Sequence, residues 1–291
     1  MRRVIPKGLV FTVDLSKLAN RELPEGSEMT VDEYRRSIEA PISSGYREPT
    51  VIEWGDGTSD IITGNVNRPA HTYAEGAGDV FTVVIRSATG HIPHILFSGD
   101  ASDTATYNIT LAVTSVDHFA GWSGSDASGS YYAAFRNTAN LRYYDARLTS
   151  LPTRGTTTRL FQRSGIDQIH PNTFEFCSEN TNISMAFNTC LNLTDIPAGL
   201  FDNLPNVSTI NGLFSGCSYL TAIPAGIFDN CISITDTDYA FNGCNRIGGA
   251  PYAFWNQSYA ANITSKANTY RNCSVALKAQ VPEDYGGTMT V

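Results

Sequence analysis

The sequence predicts a mainly β protein in two parts: an N-terminal β-sandwich, then a C-terminal solenoid built from a repeat of about 27 residues. Three observations predict it. Short runs in the first 90 residues alternate apolar with polar side chains, the period of strands with one buried face. Asp-Gly and other turn residues punctuate those runs. Further on, Phe187, Phe214 and Phe241 stand 27 apart, as do Cys190, Cys217 and Cys244, and Pro197, Pro224 and Pro251.

In residues 9–15, "LVFTVDL", Leu9, Phe11, Val13 and Leu15 share one face of a strand. A stretch of turn residues and scattered charges, about 16–48, reads as an insertion. In "TVIEWGDGTSDIITG" at 50–64, Ile52 and Trp54 share a face, Gly55-Asp56-Gly57 makes a tight turn, and Ile61 and Ile62 resume the pattern. Asp-Gly between apolar runs marks a hairpin, because such residues tolerate positive φ at little cost. Phe81, Val83 and Ile85 then line one face of another strand.

With WGDGT at 54–58, HTY at 71–73 and FTVVI at 81–85, this segment resembles a PKD-like β-sandwich, an Ig-like module. The resemblance covers about residues 8–90 and implies a structural unit with no activity of its own. The first domain is accordingly expected at 1–90. A β-rich connector with the Gly/Ser loop "GWSGSDASGSYY" is expected at 91–130, and the repeats at 131–291.

Within the repeats a finer unit is legible. Phe187, Phe201, Phe214, Phe228, Phe241 and Phe254 follow at intervals of 14, 13, 14, 13 and 13. Most head an F-x-x-[CL]-x-x-[LVI] run, such as Phe187-Cys190-Leu193-Ile196 and Phe201-Leu204-Val207-Ile210. Weaker copies contain Phe135, Thr138 and Leu141 before them, and Tyr270 and Cys273 after them. One such unit cannot bury its own apolar side, so neighbours are expected to stack with equivalent residues in ladders. The motifs "AFNTCLNLTDIP" and "LFSGCSYLTAIP" resemble BspA-like leucine-rich repeats, which implies a leucine-rich-repeat solenoid with a drifting C-terminal cap.

Composition narrows the partners. A formal charge of −8 with only 20 Lys and Arg repels phosphate backbones, so nucleic acid is not an expected partner. The only basic clustering lies at Arg2, Arg3 and Lys7 and at Arg35-Arg36. No run approaches the roughly 20 apolar residues of a membrane span. The start "MRRVIPKGLVFTVDLSK" shows no signal-peptide pattern, and "GGTMTV" at the end shows no anchor motif.

The chemistry-bearing residues favour packing. Cys177, Cys190, Cys217, Cys231, Cys244 and Cys273 include no C-x-x-C pair, and the closest are 13 apart. Each takes the place that Leu204 fills in a sister unit, so they read as small buried hydrophobes, although one-coil spacing leaves a disulfide within reach. His91 and His94 lack a third ligand, and His71 reads as a packing or hydrogen-bonding residue. Asp56 and Asp60 lack the alternating oxygen ligands and closing Glu of an EF-type calcium loop, so a turn explains them. Asp236 with Asp238 and Asp195 with Asp202 read as solvated turn residues. Seven N-x-[ST] sequons, including Asn108, Asn192 and Asn262, fit a chain rich in Asn, Ser and Thr. Trp122, Tyr131, Tyr132, Tyr143, Tyr144 and Trp255 could stack on sugar rings or serve as core.

No catalytic, cofactor-binding or metal residue is therefore assigned, no cofactor is expected, and the binding residues stay open. The order of the two resemblances, a PKD-like module before BspA-like repeats, is that of phage structural proteins and bacterial surface adhesins. It implies a non-enzymatic virion component (tail fibre, tail tip or surface decoration), assembled in the host cytoplasm. Its partners would be other virion structural proteins and a host-surface glycan or protein, with homo-oligomerisation open. A bacterial cell-surface adhesin is the alternative, and a glycan-acting enzyme a more distant one.

Overall fold

A computed structural model describes residues 8–42, 49–64, 66, 68–87, 95–97, 107–120, 133–144 and 156–289, with backbone alone for 118–120. Strand β1 (Gly8–Asp14) is followed by helix α1 (Val31–Arg35) and strand β2 (Ser37–Glu39). Then come β3 (Thr50–Glu53), β4 (Ser59–Ile62), β5 (Ala70–Thr72) and β6 (Val80–Ser87). Helix α2 (Asn108–Ala112) runs directly into β7 (Val113–Ala120), and β8 (Tyr143–Tyr144) follows.

Six strands form one mixed sheet in the order β4-β3-β6-β1-β7-β8, while β2 and β5 pair by themselves. The β7–β8 pairing is parallel. Alternation sets the faces, as expected for a pleated strand. Leu9, Phe11, Val13, Ile52, Phe81, Val83 and Ile85 point inward and are buried. The opposite face carries Val10, Thr12, Val51, Glu53, Val84 and Arg86, all half-buried or exposed. The hairpin expected at Gly55-Asp56-Gly57 joins β3 to β4. Gly55 has φ +89, and a Cβ there would stand 2.6 Å from the Thr82 carbonyl oxygen, so only glycine fits.

The expected mainly-β class is corrected on both halves: the molecule is mixed α/β, with 19% strand and 12% helix. In the N-terminal half, one large sheet replaces the paired sheets of a sandwich. Its inner face is covered by the short β2–β5 ribbon together with α2 and a helical turn at Leu15–Leu18. Helix α1 falls in the segment taken as insertion. Its signal was present as Thr30-x-x-Glu33, a reciprocal capping box in which Thr30 Oγ1 accepts from Glu33 N–H and Glu33 Oε2 accepts from Thr30 N–H. Within the connector expected to be β-rich, residues 107–116 are half helix, because α2 precedes β7.

Among the described residues of the C-terminal half no leucine-rich-repeat solenoid is present. From 156 to 289 the described chain has no strand, only single parallel bridges: Asn182 to Thr209, Thr209 to Asp236 and Asp236 to Ser265 between layers, and Pro282 to Met289 at the C-terminal end. The physical reason lies in the repeat's own period. Buried residues recur every third position, as in Phe187, Cys190, Leu193 and Ile196, whereas a strand buries every second. Three positions per repeat also take positive φ: Arg159, Met185, Gly212 and Tyr239 in one column, Arg163, Thr189, Gly216 and Gly243 in a second, and Gly199 and Gly226 in a third. Left-handed residues break an extended run. The outcome is a pile of turns, each layer bonded to the next. Met185, Phe187 and Thr189 N–H donate to the Asn211, Leu213 and Ser215 carbonyls at 2.7–3.0 Å.

Phenylalanine rings knit the pile together. Phe97, Phe135, Phe161, Phe187, Phe214, Phe241 and Tyr270 stack in one file, with centroids 5.2–5.6 Å apart. Phe174, Phe201, Phe228 and Phe254 form a second file at 5.2–5.6 Å. Such pairs add about 0.5–1.5 kcal/mol each beyond their buried area. The first file reaches the sheet, because Phe11 of β1 meets Phe97 edge-on at 5.2 Å. At the far end helix α3 (Val275–Lys278) and the turn at Glu283–Tyr285 close the pile, and Tyr270 N–H donates to the Tyr285 carbonyl.

Candidate functional site

Three sets of side chains could carry chemistry: the WGDGT/HTY cluster, the thiols and the surface carboxylates. In the first, the hairpin turn and β5 bring Trp54, Asp56, Asp60 and His71 together. Asp56 Oδ1 accepts from the Thr58 N–H at 3.0 Å and the Thr58 hydroxyl at 2.6 Å, while its Oδ2 lies 2.8 Å from His71 Nε2. The His71 ring lies flat on Trp54 at 4.8 Å with Tyr73 edge-on at 4.6 Å, and Trp54 Nε1–H donates to Asp60 at 2.8 Å. Burial alone would raise the Asp56 carboxyl, but the Thr58 and His71 bonds outweigh it and bring the group to about 2. Each carboxylate here closes a turn.

The six thiols are free and buried. Four form a column in successive layers, each donating to the phenylalanine carbonyl of the layer before. Cys190 bonds Phe161 O at 3.0 Å, Cys217 bonds Phe187 O at 3.0 Å, Cys244 bonds Phe214 O at 3.1 Å and Cys273 bonds Phe241 O at 3.1 Å. Cys231 does the same more loosely to Phe201 O at 3.5 Å, in the column that also holds Leu204. Removal from water pushes the Cys177, Cys190, Cys231 and Cys273 thiols up to about 12, and Cys217 and Cys244 well above their ordinary value. Thiols so placed are poor nucleophiles. The sequence marked them as packing residues; their donor role was not legible, because it depends on which carbonyl faces them.

The carboxylates read as solvated turns are partly buried where Asp236 and Asp238 are concerned. Asp236 accepts from the Thr209 hydroxyl at 3.1 Å and from Asn211 Nδ2–H at 3.2 Å, and Asp238 accepts from the Asn268 N–H at 2.7 Å. Asp195 is exposed and accepts from Thr194. Other polar columns run along the pile. Gln162 donates to Asn188 Oδ1, Asn242 to Ser215 Oγ and Asn272 to Asn242 Oδ1 at 3.0–3.1 Å. The hydroxyls of Ser208 and Thr235 donate to the Thr181 and Ser208 carbonyls.

Two open depressions lie between layers at equivalent positions of the repeat. One, of about 500 Å³, is lined by Asp167, Gln168, Asn192, Thr194, Asp195 and Pro197 among others. The second, of about 390 Å³, lies where Gly248, Gly249 and Ala250 follow the repeat positions of Thr221, Ala222 and Ile223. Beside it, Tyr252 donates to Asp229 at 2.8 Å. This second depression marks a departure from the repeat that spacing analysis passes over, because Pro251 keeps its 27-residue interval.

Of the aromatics considered for stacking on sugars, Tyr143 is exposed and Tyr144 is buried between Phe135 and Phe161. Trp255 packs on Tyr285 at 5.4 Å. Trp122, Tyr131, Tyr132, His91, His94, Arg2, Arg3 and Lys7, and the Gly/Ser loop at 121–132, lie outside the described residues. The sequon Asn108 is a buried structural residue donating to the Tyr34 and Ser37 carbonyls. Among the described residues no group of three His, Cys, Asp or Glu side chains could hold a metal, and no helix is long and apolar enough to cross a membrane. No protein-family model, curated protein or solved structure matches this chain.

Proposed function

We propose that the chain is a non-enzymatic structural and binding component of a phage virion, a tail fibre, tail tip or surface-decoration protein whose layered half meets a host surface. One observation carries the reading: among the described residues, the buried thiols and the half-buried carboxylates of the layers and of the hairpin are committed to holding the molecule together. The Cys190, Cys217, Cys244 and Cys273 thiols and the Asp236 and Asp238 carboxylates bond neighbouring layers, and His71 with Asp56 locks the hairpin. What faces solvent is a rigid array of amides, hydroxyls and carboxylates at layer spacing, with shallow depressions suited to a hydroxyl-rich ligand such as a glycan. The resemblance of the WGDGT/HTY and F-x-x-C motifs to modules of phage structural proteins and adhesins supports the same reading.

Mass spectrometry and immunogold labelling of purified particles, against cell-envelope fractions of the producing culture, test it. The protein is expected in the particles in a fixed ratio to other structural proteins. Recovery from envelopes alone would sink the virion reading in favour of an adhesin.

A further inference from the structure

We infer that the outer face of the six-stranded sheet takes a second copy of this chain, packed sheet on sheet. This goes beyond the virion reading and does not depend on it. The register places the outward side chains in cross-strand rows. Val10 pairs with Val84, which pairs with Glu53, and Arg86 pairs with Val51, which pairs with Ile61. Val10, Val84, Val51 and Ile61 therefore form one contiguous β-branched patch across four strands, since diagonal neighbours on a sheet also touch. Ile61 is 70% exposed, and Val80 at the end of the same face is 64% exposed. The described elements that cover the sheet all pack on the opposite, inner face.

Charge selects the occupant. The chain as a whole carries −8, which sets most surfaces of two copies against each other. On this face Glu53 lies 2.9 Å from Arg86 and Asp14 lies 3.3 Å from Lys17, while Asp117 on β7, beyond the patch, accepts from the Thr12 and Ser115 hydroxyls. Glu53 and Arg86 flank the apolar patch and remain 41% and 45% exposed. A two-fold axis through the patch would set Glu53 of each copy against Arg86 of the other, the self-complementary arrangement an isologous interface requires. Aligned packing of two such faces is a standard way for sheets to bury β-branched side chains. Four strands about 4.8 Å apart, paired over the four residues of β3 and β4, give roughly 260 Å² per copy. That is less than half of a standard interface, so the dimer should be weak.

Sedimentation velocity on the full chain across a wide concentration series tests this. The wild type should pass from monomer to dimer. Ile61→Lys, at an exposed edge position, should raise the dissociation constant about tenfold or more by setting a charge against the apolar patch. Glu53→Arg and Arg86→Glu should each abolish the dimer by like-charge repulsion, and an equimolar mixture of the two should restore it as a heterodimer. Circular dichroism of each variant, at positions outside the core, verifies the fold. A wild type that stays monomeric throughout overturns the proposal. So does a dimer indifferent to Ile61→Lys, or a mixture that associates no better than either variant alone.

Discussion

The Cys217 thiol of one layer donates to the Phe187 carbonyl of the layer before it at 3.0 Å, and the same oxygen also takes the Cys190 N–H at 3.2 Å. Each cysteine of this column thus bonds an acceptor that points along the pile, and its side chain is buried. Earlier layers fill the column with Thr138 and Ser164, which keep a donor and are equally buried. Thr138 Oγ1 donates to Phe135 O at 2.6 Å.

That column makes a donor, not mere apolarity, the requirement at position 217. Cys217→Ser should therefore be tolerated better than Cys217→Val, by about 1 kcal/mol, since a net buried hydrogen bond contributes about that much. Urea unfolding midpoints of the two variants decide it. Valine proving the milder change would reduce the thiol to a space-filler.

The left-handed columns give a second prediction. Thr189 holds φ +59, a region costly for a β-branched residue, while Gly216 and Gly243 fill the same position in the next layers. Thr189→Gly should raise stability by about 1 kcal/mol, the strain released exceeding the entropy glycine adds to the unfolded chain. Gly216→Ala should lower it by a similar amount, because its Cβ would meet Thr189 Oγ1 at 3.1 Å with φ at +78. Thermal unfolding of both variants measures this. Two shifts of the same sign would contradict the strain argument.

How much of this was legible in the sequence follows from what each signal depends on. The 27-residue interval of Phe187, Phe214 and Phe241 gave the stacking partners, because a stack needs only equal spacing. The inward faces of β1, β3 and β6 were legible from Phe11, Ile52 and Val83 by period two. The fold class differs because the 27-residue interval and the resemblance to leucine-rich repeats imply a strand-bearing solenoid, while Thr189, Met185 and Arg163 give no residue-type warning of the positive φ that breaks extended runs. Phe97 entered the aromatic file unseen, since it precedes the repeats and lies in a segment with no periodicity of its own.

Acid should weaken the β3–β4 hairpin. The Asp56 carboxyl sits at about 2 against an ordinary 3.8. A carboxyl lowered in the folded state contributes stability that is complete above the unfolded value and is lost as pH falls through the folded one. The loss therefore falls between about pH 4 and pH 2. Asp56→Asn should flatten the fall in stability across that window while lowering stability at neutral pH, where the bond to His71 is weakened. Urea unfolding of both proteins at several pH values checks this, and parallel acid profiles would refute a role for Asp56.

Phe97 is the hinge between sheet and pile. It is fully buried, touches Phe11 on one side and Phe135 on the other at 5.2 Å, and its N–H donates to the Ala134 carbonyl at 2.8 Å. Its own carbonyl accepts from the buried Thr110 hydroxyl at 2.9 Å. With one ring serving two bodies of core, sheet and pile are expected to unfold in a single calorimetric transition. Phe97→Ala removes the shared ring at a cost of about 3–5 kcal/mol. It should lower the transition temperature and split the transition in two, because the shared ring is lost and, among the described residues, only hydrogen bonds at Phe97, Asn140 and Arg142 and the short β7–β8 pairing with Tyr144 would then join the halves. Two transitions already present in the wild type, with only one moved by the substitution, would show that the aromatic file does not transmit cooperativity across this junction.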